Sequence, residues 1–142
     1  MTLNREPARF VLDSFALLAF LQGEAGMTYV KQVFLQAESG TAQIFLSRIN
    51  LGEILYLIER EQGQAQARKT LAYIQSLPIQ LLEITPAAVL HAAHLKANHR
   101  ITYANAFAAT AAHQQHATLL TGNPEFNSLT DHIRIEWLPR EP

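Results

Sequence analysis

Short apolar runs alternate along the chain with longer stretches in which apolar residues recur every three or four positions. Phe10, Val11 and Leu12 stop at Asp13 and predict a buried strand. Residues 14–22, rich in leucine, alanine and phenylalanine, end at Gly23 and predict a helix with a glycine stop. Residues 27–38 predict a second helix, closed by Ser39 and Gly40, and residues 43–46 a second strand. From 50 to 61, Leu51, Ile54, Leu55 and Ile58 fall on one helical stripe that ends near Gly63. Residues 64–76 predict a helix cut off before Pro78, residues 79–84 a strand, and Thr85 with Pro86 the capped start of another helix. A helix from 103 to about 115, a strand at 118–121 broken by Gly122, Asn123 and Pro124, and an alternating strand at 133–138 complete the pattern. Short strands separated by helices need crossover connections, so the predicted class is α/β: a mostly parallel sheet with helices on both faces. Ligands in such sheets bind beyond the carboxyl ends of the strands, where strand order reverses. Residues leaving strand ends are therefore the ones to question.

Composition narrows the class without changing it. At 142 residues and 15.9 kDa, residues 1–142 are expected to form a single domain. With 49% hydrophobic and 16% charged residues, neither disorder nor a coiled coil fits. The absence of cysteine removes disulfides, thiolate zinc sites and thiol nucleophiles. A net charge of -1 and a pI near 6.6 exclude a globally basic nucleic-acid binder and leave room for a local basic face. The polar start, interrupted at once by Asp13 once the chain turns apolar, is unlike a signal peptide. No apolar window approaches the roughly 18 residues of a membrane helix, so a soluble, cytoplasmic protein with no membrane partner is expected.

Four polar positions stand out: Asp13 after the first strand, Glu53 and Asn105 near helix starts, and Asn123 after the fourth strand. Each also suits a local structural role. Asp13 can cap the helix beginning at Ser14, and Asn50 with Glu53 is spaced like a capping box. Thr102 with Asn105 has the same spacing, and Asn123 precedes a proline. Taken together, oxygen-bearing side chains converging from strand ends and helix starts are what Mg²⁺ or Mn²⁺ needs to activate water against a phosphodiester.

The motifs around these positions add a family. Val11-Leu12-Asp13-Ser14-Phe15, Ile49-Asn50-Leu51-Gly52-Glu53, Thr102-Tyr103-Ala104-Asn105-Ala106 and Leu120-Thr121-Gly122-Asn123-Pro124 resemble, in order, those of PIN-domain proteins, most closely the VapC-type toxins of bacterial toxin–antitoxin pairs. The resemblance spans nearly the whole chain. It implies a three-layer α/β/α sandwich, Mg²⁺ or Mn²⁺ as cofactor, endonucleolytic cleavage of RNA, a cognate antitoxin as partner, and a homodimer. It carries the catalytic and metal positions onto Asp13, Glu53, Asn105 and Asn123, with Ser14 and Thr121 beside them in support. The family's third and fourth acids are here Asn105 and Asn123. A carboxamide keeps a carbonyl oxygen, cannot act as a general base, and binds a hard cation more weakly than a carboxylate. Glu125 is the nearby carboxylate that stands in line as a replacement. The expected function is thus a weakened VapC-like endoribonuclease, the alternative being an inactive PIN-like scaffold that binds RNA or an antitoxin.

Arg48 and Arg100, a few residues before Glu53 and Asn105, are the expected RNA-backbone contacts. The histidine pairs His91/His94 and His113/His116 are expected to face solvent, with no zinc. A phospho-accepting domain with Asp13 as nucleophile lacks a second acid two positions later, and no Gly-x-Gly-x-x-Gly follows the first strand.

Overall fold

The computed structural model describes residues 6–140. Five strands, β1 (Ala8–Leu12), β2 (Ala42–Ser47), β3 (Gln80–Leu82), β4 (Thr118–Thr121) and β5 (Ile135–Trp137), form one parallel sheet in the order β3-β2-β1-β4-β5. The chain winds outward from β1 to β3, then returns through β4 on the other side. Strand order therefore reverses between β1 and β4, whose carboxyl ends deliver Asp13 and Asn123.

Alternation within the strands builds the three layers. Val11, Phe45 and Leu119 face a core made with α5 (Pro86–Asn98) and α6 (Tyr103–Gln114). Their neighbours Leu12, Ile44, Leu46 and Leu120 face the opposite core, made with α1 (Ser14–Gln22), α2 (Met27–Glu38), α3 (Arg48–Gln62) and α4 (Gln64–Ser76). Strands buried on both faces read as near-continuous apolar runs, which is why the central ones are plain in the sequence. The fold is the expected α/β/α sandwich. Among the described residues no helix is long and apolar enough to cross a membrane.

Most helix ends follow local chemistry. Asp13 caps α1 by accepting from the Ala16 N–H, Gly23 ends it in the left-handed region, and Thr85 and Thr102 cap α5 and α6. The start of α3 differs from the expected capping box. The cap is Ser47, whose hydroxyl accepts from the Ile49 N–H, so Asn50 lies inside the helix and is fully buried. Strands β3 and β5 are shorter than the apolar runs that signal them. Each is an edge strand with one neighbour, and the flanking Ile84 and Ile133 pack against the core instead of extending the ladder.

Candidate active site

The four singled-out positions meet at the carboxyl edge of the sheet, joined by hydrogen bonds that run almost continuously round its mouth. Asp13 is 0% exposed. Its Oδ1 accepts from the Ala16 N–H at 2.9 Å, and its Oδ2 accepts from the hydroxyl of Thr121, also fully buried. Thr121 Oγ1 in turn accepts from the Asn123 N–H at 3.0 Å, and Asn123 Oδ1 from the Glu125 N–H at 3.0 Å. Glu125 Oε1 accepts from the Thr102 N–H, while Thr102 Oγ1 accepts from the Asn105 N–H at 3.2 Å. The Ala104 carbonyl, one residue before Asn105, accepts from Asn50 Nδ2 at 3.1 Å. Ser14, next to Asp13, closes the circuit: its hydroxyl lies 3.4 Å from the Asn50 carbonyl and donates to Glu53 Oε1.

Two of the supporting residues, Ser14 and Thr121, thus hold the two carboxylates. Glu125 ties the segment after β4 to the start of α6 by way of the Thr102 N–H. Glu53, half-buried, reaches across to α1 rather than back to its own helix start. Asn105 is buried, and its side-chain amide has no hydrogen-bond partner among the described residues, while the atoms that are both buried and unpartnered there come down to Asn50 Oδ1. Asn50 is the site-lining residue that sequence reasoning treated only as a cap. Its link to Ala104 joins segments 54 residues apart, which no local pattern signals.

Burial dominates the electrostatics. The Asp13 carboxyl is pushed up to about 7, first by complete desolvation and further by the charge of Glu53, against the lowering pull of the Thr121 hydroxyl and the Ala16 N–H. A fully buried carboxylate that feels the charge of a second one is poorly placed alone and well placed beside a cation. The donor set fits Mg²⁺ or Mn²⁺, which take one or two carboxylates and fill the remaining positions with water and substrate phosphate. Asp13, Glu53 and the amide oxygen of Asn105 would hold the ion. Asn123 has already committed its oxygen to the Glu125 N–H, as the cap of the 3-10 helix Pro124–Leu129. Among the described residues no three His, Cys, Asp or Glu side chains gather as a metal cluster.

Arg100 is exposed, whereas Arg48 has its Nε 2.7 Å from Glu83 Oε1. Of the histidines expected to face solvent, His94, His113 and His116 are exposed and His91 is half-buried. His91 of α5 and His113 of α6 stack with ring centroids 4.6 Å apart, and His91 Nδ1 lies 2.8 Å from Thr110 Oγ1. Burial, and then the nearby His113, His94 and His132, lower the proton affinity of His91.

Gly122 separates Thr121 from Asn123 where nothing larger fits, because a Cβ there would overlap the Phe15 ring and come within 3.2 Å of Arg140 Cγ. Gly122→Ala is expected to lower stability by about 1–3 kcal/mol through overpacking. The check is a lower denaturant midpoint at unchanged slope.

Comparison with known proteins gives the fold a lineage. Residues 10–131 match the PIN domain family. No curated protein matches the chain in sequence. Among solved structures, the Rickettsia felis VapBC2 complex bound to a promoter DNA fragment superposes with a TM-score of 0.73 at 18% identity, covering 92% of this chain and 99% of that one. DNA-bound VapBC from Salmonella typhimurium gives 0.73 at 17%, covering 91% and 97%. VapC20 of Mycobacterium tuberculosis, a toxin that cleaves the sarcin–ricin loop, gives 0.69 at 18%, covering 93% and 100%. At these identities the likeness is one of fold.

Proposed function

The chain belongs to the PIN domain family, and from that premise we propose that it is a VapC-type toxin: a Mg²⁺- or Mn²⁺-dependent endoribonuclease with a weakened site, paired with an antitoxin. The observation that carries this is the convergence of Asp13 and Glu53 at the point where strand order reverses, hydrogen-bonded through Ser14 and Thr121. A bound divalent ion would polarise the scissile phosphate and activate water. Asp13, held on both oxygens, has one orientation available to it. Glu53 keeps Oε2 outside its bond to Ser14, and Asn105 supplies a neutral oxygen. Exposed Arg100 is the proposed contact for an RNA phosphate, and Arg48 would have to leave Glu83 to make one.

The neighbouring VapBC structures support an antitoxin partner. Exposed Leu35, Tyr56, Tyr73 and Leu90 offer apolar surface for that partner and for a homodimer. With no membrane-length helix among the described residues, the proposal places the protein in the cytoplasm.

Cleavage of a structured RNA panel in Mn²⁺ tests the function directly. The unmodified chain is compared with the Asn105→Asp/Asn123→Asp variant, and with Asp13→Ala in that background. Cleavage that is weak in the unmodified chain, strong in the double variant and lost with Asp13→Ala is expected. Silence of the double variant across the panel would overturn the ribonuclease assignment and leave a scaffold that only binds.

A further inference from the structure

Beside the mouth lies a second concave surface that the chemistry above does not use. A cavity of about 310 Å³ is lined by Gly122, Pro124, Asn127, Trp137, Leu138 and Arg140. Gly122 and Pro124 flank Asn123, so the cavity adjoins the mouth directly. Trp137 ends β5 in register with Thr121, the residue whose hydroxyl holds Asp13. It is the chain's single tryptophan, and 43% of it is exposed although a ring of that size normally seeks burial. Arg140 has no hydrogen bond or ion pair with any described residue, and no carboxylate lines the cavity. Glu136, the adjacent acid, is taken up by the Tyr29 hydroxyl at 2.6 Å.

We propose that this cavity is a nucleotide subsite for single-stranded RNA, in which a base stacks on Trp137 and the adjoining backbone phosphate meets Arg140. It rests on the ribonuclease assignment, since it names where a nucleotide flanking the scissile bond is held. Unstacked bases on aromatic faces, with arginine on the backbone, are the general means of holding single-stranded RNA. The volume lies on the scale of ordinary ligand pockets, enough for one base. Gly122 lets the Phe15 ring and the Arg140 stem pack directly against the backbone between Thr121 and Asn123.

The single tryptophan makes the test direct. In metal-free buffer containing a chelator, where no cleavage proceeds, a short single-stranded RNA is expected to quench Trp137 emission saturably. Trp137→Ala should weaken RNA binding about tenfold, and Trp137→Phe, which keeps a stacking face, no more than about threefold. Arg140→Gln should weaken binding and reduce the salt dependence by about one phosphate contact. Because Trp137 and Arg140 are exposed, the variants are expected to fold, and unchanged circular dichroism confirms it. RNA binding with Trp137 emission unchanged, or equal affinity in Trp137→Ala, would overturn the subsite. So would quenching by adenosine monophosphate as tight as by RNA, which assigns the cavity to free nucleotides. An absence of RNA binding, or quenching by an antitoxin peptide alone, overturns it equally. The two proposals fail separately: loss of the subsite leaves cleavage by the double variant in place, and loss of cleavage leaves the quenching in place.

Discussion

Replacing Asn105 and Asn123 by aspartate is expected to tighten Mn²⁺ binding by about 100-fold or more. Removing a partner that merely orients a ligand costs about 10- to 100-fold in affinity. Exchanging a neutral ligand for a charged one is expected to matter at least as much at each site. The two positions contribute differently. Asn105 is a buried residue whose side-chain amide has no hydrogen-bond partner among the described residues, so an aspartate adds charge there with nothing to break. Asn123 spends its one carbonyl oxygen on the Glu125 N–H, whereas an aspartate can cap with one oxygen and offer the other. Without metal, the same two substitutions crowd charge beside Asp13 and should lower stability. Calorimetric Mn²⁺ titration and denaturation in chelator measure both effects. Equal Mn²⁺ affinity in the unmodified and doubly substituted chains would remove Asn105 and Asn123 from the metal site.

Asp13→Asn is expected to stabilise the metal-free protein at pH 8 by up to about 4 kcal/mol. The size follows from a shift of roughly three pH units at about 1.4 kcal/mol each. The folded carboxyl titrates near 7 and the unfolded one near 3.8. Between those values the native chain holds a proton that the unfolded chain has released, so the contribution to stability is complete below about pH 4. It falls as pH rises and is gone above about 7. An asparagine keeps the neutral shape. Its oxygen accepts from the Ala16 N–H, and its amide donates to Thr121 Oγ1. Thermal or urea denaturation from pH 4 to 8 should show the unmodified protein losing stability along this window and Asp13→Asn holding level. Mn²⁺ should stabilise only the unmodified chain. A parallel loss in both proteins would show that Asp13 is not the group responsible. The same burial that makes Asp13 costly without metal prepares it to hold a cation.

Much of the fold was legible because each element carries its own signals. The α1 cap at Asp13, the Thr85–Pro86 start of α5 and the apolar runs of β1, β2 and β4 needed no partner to be recognised. The misplaced α3 start shows the limit. Asn50 and Glu53 have the spacing of a capping box, yet the helix begins one turn earlier at Ser47, and both side chains answer to distant groups, Ala104 and Ser14. The segments that the motifs mark come together at the carboxyl edge of the sheet. The bonds that hold them, such as Glu125 to the Thr102 N–H, join parts of the chain that only tertiary structure brings together. The exposure of His94, His113 and His116 was legible in the sequence, whereas the stacking partner of His91 was not. Spacing pairs His91 with His94, while packing pairs His91 with His113 across two helices. Trp137 carried one usable signal, a lone large aromatic at the end of an edge strand.

The central place of β1 in the sheet has a consequence for the growing chain. Its neighbour on one side, β2, follows within about thirty residues, but its neighbour on the other, β4, begins only at Thr118. Until then β1 is an open edge presenting Val11 and Leu12, and Asp13 has no Thr121 to hold it. Distant pairings of this kind are slow to form, and unpaired strands invite association with other chains. The mouth is thus one of the last features a ribosome-bound chain completes. An interrupted copy, lacking β4, would leave Asp13 without its Thr121 partner and β1 with an unpaired edge.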